Sequence, residues 1–225
     1  GGFQSGSYWI GEGKPLYTFY LRKYAGVNEQ GEPTWYKTQK DGSMVPTNDY
    51  ATATDYECGA ADPDLYGGFG TSFSFYGVDI SVNFTYQIGG QVYDSGYAMY
   101  MGSPQSGDTG TNVHVDILKA WSPTNLNSNI PRYQLSDQYS AAQSDRFLAD
   151  ASYLNLQNIN VGYTVPQKFT KKFLVSKMRV YLSCENVFYW SKRQGLDPRQ
   201  SFTGATSAEL YSPVRTISGG LSIQF

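Results

Sequence analysis

The chain has 225 residues, of which 40% are hydrophobic and 16% are charged, and its formal net charge is −2. Ordinary soluble domains carry about 25% charged residues, and no run of Lys or Arg is long enough to form a basic patch, which argues against a nucleic-acid partner. No apolar run reaches the roughly 18 residues of a membrane helix, whereas 20 Tyr, 12 Phe and 24 Gly favour strands and turns.

The first six residues lack the charged and apolar segments of a signal peptide, so we expect the sequence to continue a longer protein. Residues 15–27 form the first predicted strand, in which Tyr17, Phe19 and Leu21 share one face. A long polar segment, residues 28–66, follows this strand, and only residues 34–37 within it have strand character.

The clearest predicted element is a β-hairpin that begins at Phe69. Apolar and polar residues alternate at every position from Asp79 to Ile88, which is the period of a strand with two unlike faces. The two arms meet near Gly77, so the connection between them is very short.

A second long insertion covers residues 94–150. Residues 111–120 within it have helical spacing and predict a short helix. Pro123 and Pro131 exclude regular structure after that point.

The next predicted strand, residues 153–165, changes parity partway along its length. In an ideal strand Leu154 and Leu156 would lie on the face opposite to Ile159 and Val161. One extra residue near Gln157 or Asn158, a β-bulge, would bring all of these apolar side chains to one face.

Two further strands complete the chain. Residues 177–190 follow a basic connector at 166–176, and residues 213–225 follow a third polar loop at 191–212. In the last strand an apolar set that ends at Phe225 alternates with small polar residues. A strand between lipid and a wet lumen needs that division, although a strand in a soluble sandwich needs it as well.

The predicted loops alternate in length. Long connections at 28–66, 94–150 and 191–212 alternate with short ones near Gly77 and at 166–176. Outer-membrane barrels have this asymmetry, with short turns on one side of the membrane and long extracellular loops on the other. The pattern therefore predicts an all-β fold, specifically an antiparallel transmembrane β-barrel with long extracellular loops, of which about six strands can be counted in this sequence. A soluble carbohydrate-binding β-sandwich domain is the alternative.

Six stretches, in order, resemble the C-terminal portion of a SusC/RagA-type TonB-dependent outer-membrane transporter. The stretches are 24–27, 31–36, 62–69, 121–132, 150–166 and 179–188. They include Trp121-Ser-Pro-Thr-Asn125 with Ile130-Pro-Arg132 and the segment from Asp150 to Pro166. Asn155 and Glu185 depart from the usual pattern, in which a basic residue and a glutamine stand.

This resemblance implies what the protein does and with which partners. Residues 1–225 would be the C-terminal part of a barrel of about 22 strands, without its plug and N-terminal strands. The whole protein would import oligosaccharides or peptides across the outer membrane of a Gram-negative bacterium, crossing that membrane many times. Its partners would be a SusD-like surface lipoprotein, TonB acting through the plug, and the outer-membrane barrel-assembly machinery.

The last strand also resembles the signal that barrel-assembly machinery recognises. Ser218, Gly220, Ile223 and Phe225 stand at the positions of that pattern. The physical reason is that the last strand has an unpaired edge, which the machinery pairs with before the barrel closes.

Two sets of side chains are predicted to meet water or substrate. The predicted lumen-facing residues are Asn83, Thr85, Gln87, Ser183 and Glu185. Flat aromatic rings beside polar groups are typical of sugar or peptide recognition. The predicted substrate contacts in the loops are Trp35, Tyr36, Trp121, Tyr133, Tyr139 and Tyr211.

Catalytic and metal sites have little support in the sequence. His114 is the only histidine, so neither a histidine-rich metal site nor a Ser-His-Asp arrangement with alternatives is available. Asp62 and Asp64 are too close in one turn to suit a glycosidase pair. We therefore expect no enzyme and no cofactor.

Calcium is conceivable at a group of carboxylates in one loop, although EF-hand spacing is missing. These residues are Asp49, Asp55, Glu57, Asp62 and Asp64. Cys58 and Cys184 are predicted to be unpaired thiols.

Overall fold

The structure, a computed structural model, describes residues 1–105, 110–207 and 210–225. Over these residues the chain forms fourteen strands. They are β1 Gly2–Ser5, β2 Tyr8–Gly11, β3 Thr18–Arg22, β4 Tyr24–Val27, β5 Pro33–Thr38, β6 Met44–Thr47, β7 Asp55–Ala60, β8 Leu65–Phe75, β9 Val78–Ile88, β10 Gln91–Tyr93, β11 Leu148–Asp150, β12 Tyr153–Thr164, β13 Lys177–Ser191 and β14 Thr216–Gln224.

The helices are all short. The α-helices are α1 Ser95–Tyr100 and α2 Gln167–Thr170, and the 3₁₀ turns are Tyr50–Thr52, Val115–Lys119, Asp145–Phe147, Lys171–Phe173 and Pro198–Gln200. In the part of the chain that the structure describes, no helix has the length and hydropathy needed to cross a membrane.

The chain divides into two compact units. The strand unit comprises Pro63–Gly89, Ala151–Asp197 and Tyr211–Phe225. The insertion unit comprises Gly1–Asp62, Gly90–Asp150 and Pro198–Leu210.

The strand unit is one five-stranded antiparallel sheet in the order β14-β13-β12-β9-β8. Its strands have 11, 11, 12, 15 and 9 residues in chain order. A strand of about 9–11 residues is long enough to cross a bilayer. The first connection between them, Tyr76 and Gly77, has positive φ at both positions (47° and 86°), as a type I′ hairpin turn requires.

The predicted β-bulge is present in β12. Leu156 pairs with Phe84 of β9, whereas Asn158 pairs with the adjacent Asn83, so Gln157 is the extra residue. The bulge brings Leu154, Leu156, Ile159 and Val161 to one face of the sheet, because the extra residue resets the alternation.

A second irregularity, which the sequence pattern did not indicate, lies in β13. Phe188 pairs with Leu156, and Glu185 pairs with Asn158. Two residues of β13 lie between these pairs, whereas only one residue of β12 does, so β13 has one residue more than β12 over this segment. Asn186 takes up the extra length with a φ of +49°, which asparagine tolerates better than most residues. The sheet is therefore bulged at one level across β12 and β13, which increases its local twist.

The insertion unit contains three small antiparallel sheets, β1-β2-β3-β7, β4-β5-β6 and β10-β11. One hydrophobic cluster is formed by Phe19, Leu21 and Ala61, with Tyr8 and Tyr17 packed on it. A second is formed by Ala98, Met101 and Phe147. Both clusters join residues that are distant in sequence.

Three predictions about the elements need correction. Residues 15–27 do not form one strand, because β3 pairs with β7 while β4 pairs with β5 in a different sheet. The described strand unit therefore has five long strands, not about six. The helix predicted at 111–120 is reduced to the 3₁₀ turn Val115–Lys119.

Candidate functional site

The sheet of the strand unit has one face that is polar along all five strands. Cross-strand partners have the same polarity, since Asn158 pairs with Asn83 and Glu185, and Asn160 pairs with Ser81 and Ser183. Directly opposed residues point to the same side of a sheet. The five predicted lumen residues, Asn83, Thr85, Gln87, Ser183 and Glu185, all fall in these polar rows.

Amide side chains link the strands across this polar face. Asn83 Nδ2 donates to Asn158 Oδ1 at 2.9 Å, and Asn155 Nδ2 donates to Thr85 Oγ1 at 3.2 Å. Asn160 Nδ2 reaches Ser81 Oγ at 3.4 Å. These bonds give the face a network of neutral groups that can both donate and accept hydrogen bonds.

The opposite face is apolar and open. Ile80, Leu221 and Ile223 are 36%, 54% and 44% exposed, respectively, and the aromatic rings of Phe69 and Phe84 stack with centroids 4.8 Å apart. A soluble β-sandwich would cover these side chains with a second sheet. Their exposure therefore does not support the sandwich alternative.

Sequence reasoning overlooked an ion pair on the polar face, between Arg179 and Asp79. It also overlooked the asparagines Asn155, Asn158 and Asn160. A signal for the asparagines was available, because they share the polar parity of β12 once the bulge is placed. The ion pair could not be read from spacing alone, since its partners are 100 residues apart.

The four residues of the predicted assembly pattern lie on or beside β14. Ser218 pairs with Ser183, Gly220 pairs with Tyr181, and Ile223 pairs with Met178 on β13. Phe225 follows the strand and is largely exposed. No other strand of the described chain pairs with the outer edge of β14.

The predicted loop aromatics have unequal exposure. Trp35 does not fit a role in substrate contact, because its side chain is 1% exposed and packs edge-on against Tyr50 and Tyr139. Trp121 is half-buried and its ring lies against the backbone of Gly31, which has a φ of +81°. Tyr36 is also half-buried.

Three of the predicted aromatics remain open to a ligand. Tyr133 and Tyr139 are exposed in the insertion unit, and Tyr211 is exposed in the strand unit. Tyr139 is also held in place, because its ring stacks on Tyr50 at 5.3 Å between centroids. A pocket of about 110 Å³ beside Tyr139 is lined by residues that include Glu32, Asn48, Asp137 and Gln138.

Arg132 donates hydrogen bonds to two carboxylates that line this pocket. Its Nε donates to Asp137 Oδ2 at 2.9 Å, its Nη2 reaches Glu32 Oε1 at 3.4 Å, and its Nη1 donates to the carbonyl of Gln30 at 2.8 Å. The pKa of Glu32 is lowered, chiefly by hydrogen bonds from Asn28 and then Asn48. The carboxylates of Glu32 and Asp137 thus already accept hydrogen bonds from within the protein.

Several ionisable groups of the insertion unit are buried. Burial raises the pKa of Tyr24 to about 12 and also raises the pKa of Asp145, whose Oδ1 accepts from the Tyr24 backbone N–H at 2.7 Å. Burial raises the pKa of the Cys58 thiol to about 11. Cys58 and Cys184 are both free, as predicted.

The carboxylates considered for calcium do not come together as a ligand set. Asp55 pairs with Arg22 at 3.1 Å, Glu57 pairs with Lys14 at 2.6 Å, and Asp49 caps the 3₁₀ turn at Tyr50–Thr52. Within the described ranges, no group of three or more His, Cys, Asp or Glu side chains is placed to hold a metal ion.

Sequence comparison finds relatives along most of the chain, although no family model matches it. TonB-dependent receptor P3 of Formosa agariphila is 25% identical over 234 residues, which covers 95% of this chain and 22% of that receptor. TonB-dependent receptor SusC of Bacteroides thetaiotaomicron is 36% identical over 83 residues, which covers 36% of this chain and 8% of SusC.

Solved structures with the same fold include a RagAB peptide transporter, with a TM-score of 0.79 and 23% identity over 99% of this chain. A RagAB peptide importer in a closed-closed state has a TM-score of 0.80 and 24% identity over 100% of this chain. The chain spans about a quarter of the length of these chains, 24% and 25%.

These comparisons confirm the resemblance to a segment of a SusC-like TonB-dependent transporter. The relatives are receptors and transporters, which are not enzymes, in agreement with the expectation for this chain.

Proposed function

We propose that this chain forms part of the wall and the loops of an outer-membrane transporter that imports nutrients. The observation that carries the proposal is the alignment of polar residues on one face of a five-stranded antiparallel sheet and of apolar residues on the other. The relative named TonB-dependent receptor P3 supports it along 95% of the chain.

Each face has its own role in this proposal. The apolar face, with Ile80, Leu182 and Leu221 exposed, contacts lipid, where side chains without polar groups are favoured. The polar face, with Asn83, Thr85, Gln87, Ser183 and Glu185, lines the wet interior.

The rest of the transporter would complete the sheet. In the described chain the outer edges of β8 and β14 have no partner strand, and unpaired backbone groups are too costly to expose in hydrocarbon. Further strands of a closed barrel, which crosses the outer membrane many times, would pair with both edges. A plug within that barrel would be the part on which TonB acts.

The end of the chain would serve assembly. Ser218, Gly220, Ile223 and Phe225 would be recognised by the outer-membrane barrel-assembly machinery while the outer edge of β14 is still unpaired. Substitution of these residues should then reduce the amount of folded transporter in the membrane without changing transport by each molecule.

The cargo would be an oligosaccharide or a peptide, delivered beneath a SusD-like lipoprotein. Exposed tyrosines such as Tyr133, Tyr139 and Tyr211 suit either cargo, because their rings stack and their hydroxyls form hydrogen bonds. RagAB, which has the same fold, is described as a peptide transporter.

Uptake by cells that produce the full transporter with its lipoprotein tests the proposal. Labelled peptides and labelled oligosaccharides of matched size would be offered separately, with and without a proton uncoupler. We expect accumulation of one class that stops with the uncoupler and falls in Tyr139→Ala. A transporter that is folded in the membrane but accumulates neither class would contradict the proposed function.

A further inference from the structure

One row of residues crosses the polar face of the sheet close to the Tyr76–Gly77 turn. Asp79 of β9, Gly162 of β12, Tyr181 of β13 and Gly220 of β14 are successive register partners in this row. The two glycines therefore lie on either side of Tyr181.

Neither glycine is required by backbone conformation, since neither has a φ in the left-handed region. Each is the single glycine among the polar-face positions of its strand. Those positions are Tyr153, Asn155, Asn158, Asn160, Gly162 and Thr164 in β12, and Thr216, Ser218, Gly220, Ser222 and Gln224 in β14.

Both glycines are covered by side chains from β13. A Cβ on Gly220 would overlap the Tyr181 ring, coming within 2.6 Å of its Cε1 atom. A Cβ on Gly162 would come within 2.6 Å of both Arg179 Cζ and Asp79 Oδ1. Gly220 is accordingly the one residue of β14 that is partly buried rather than exposed, and Gly162 is buried.

The side chains that cover the two glycines also contact one another. Arg179 forms the ion pair with Asp79 across β12, and its guanidinium carbon lies 5.3 Å from the centroid of the Tyr181 ring. A cation at that distance is attracted to the ring face. The Tyr181 ring is thus one end of a connected group that begins on β9.

We propose that Asp79, Arg179 and Tyr181 form a register brace that selects Gly220 as the β14 residue opposite Tyr181. A slip of β14 by one residue would exchange its two faces, so the hydrophobic pattern opposes it. A slip by two residues keeps both faces and is not opposed by that pattern. It places Ser218 or Ser222 beneath the Tyr181 ring, where their Cβ atoms collide with it.

The last strand needs such a device because Thr216–Gln224 contains two glycines and two serines, and strands of small residues specify their register weakly. The brace assigns Gly220 a task inside the sheet in addition to its place in the assembly pattern. It depends on the sheet alone and does not require the proposed import.

Cysteine cross-linking in the full-length protein in its membrane reports the register directly. The pair Ser183→Cys with Ser218→Cys reports the native register, because these residues are direct partners and directly opposed residues lie within disulfide range. The pairs Ser183→Cys with Thr216→Cys and Glu185→Cys with Ser218→Cys report slips of two residues in either direction. Cys58→Ser and Cys184→Val remove the native thiols in all samples.

With Gly220 intact, we expect the native pair to cross-link and the slipped pairs to remain at background. Gly220→Ala should raise a slipped pair at least several-fold, and Tyr181→Ser should do the same because it removes the ring. The matched control is Gly219→Ala, whose added Cβ would have its nearest neighbours at 3.8 and 3.9 Å. This control should leave the slipped pairs at background.

The double variant Gly220→Ala with Tyr181→Ser should give no more cross-linking of the slipped pairs than Tyr181→Ser alone, since both changes act on one contact. The brace is refuted if Tyr181→Ser leaves the slipped pairs at background, or if Gly219→Ala raises them as much as Gly220→Ala. Should Gly220→Ala fail to reach the membrane, Tyr181→Ser decides the question. Cross-linking is read whether or not a nutrient is imported, so failure of the brace is distinguishable from failure of the proposed function.

Discussion

Arg179 on β13 pairs with Asp79 on β9 across the strand that lies between them, β12. The pair forms where β12 carries Gly162, whose missing side chain leaves room for both charged groups. The ion pair thereby links two strands, β9 and β13, that are not neighbours in the sheet. The same cross-strand geometry explains why a glycine occurs in β12 at a position with ordinary strand conformation.

Gly162→Ala should destabilise the sheet, because the added methyl group occupies the space of the Arg179 guanidinium and the Asp79 carboxylate. Overpacking of this kind typically costs about 1–3 kcal/mol of unfolding free energy. The measurement is the denaturant midpoint of the membrane-extracted protein. Gly219→Ala is the control, and an equal loss in both variants would mean that the Gly162 contact has no special role.

The two faces of β9 should differ in their access to water. In a cysteine scan of the full protein in its membrane, we expect Asn83→Cys to react with a charged, membrane-impermeant thiol reagent supplied from the wet side. Ile80→Cys should be protected, because alternate residues of a strand point to opposite faces.

The control for this scan is the same pair of variants in denaturant, where both thiols should react equally. Ser183→Cys and Leu182→Cys repeat the comparison on β13, where these residues fall in the polar and apolar rows. Rapid labelling of Ile80→Cys and Leu182→Cys in the membrane would contradict the assignment of the apolar face to lipid.

Substitution of Trp35 should mainly affect stability, whereas substitution of Tyr139 should mainly affect uptake, although both residues were predicted from sequence as substrate contacts. Trp35→Ala should lower the free energy of unfolding of the insertion unit by about 3–5 kcal/mol, since it empties a fully buried site. Tyr139→Ala should change stability much less and uptake more. Calorimetry and uptake on the same variants separate these effects, and a stable Trp35→Ala protein would show that this ring is not a core residue.

The insertion unit should lose stability as the pH rises from about 10 to about 12. Burial raises the pKa of Tyr93 to about 12, so between these values the unfolded chain has released a proton that the folded chain keeps. The free energy of unfolding then falls with pH, by at most about 1.4 kcal/mol per pH unit for each such tyrosine. Tyr93→Phe should make this decline shallower, as measured by denaturant unfolding at several pH values; an unchanged slope would contradict the assignment.

Much of the strand unit was predictable because it depends on local alternation. The hairpin around Gly77, the strands β13 and β14, and the bulge at Gln157 follow from residues adjacent in the chain. The polar placement of Asn83 and Ser183 follows in the same way, since face alternates with sequence position.

The insertion unit was less predictable because its strands are short and depend on distant partners. Lys23 lies between β3 and β4. In the structure β3 pairs with β7 in one sheet, whereas β4 pairs with β5 in another. The burial of Trp35 likewise depends on Tyr50 and on Tyr139, which is far away in sequence. Spacing within a short window contains no information about such contacts.

By itself, the amino-acid sequence determined which side chains of each long strand share a face, because the period of an extended chain is two residues. Only the tertiary structure decided which residues of different strands lie side by side. That choice places Tyr181 over Gly220 and Arg179 beside Asp79, and it depends on strand order and register between segments up to 100 residues apart. Pairing at that range is set by packing of the whole sheet, which no local pattern specifies.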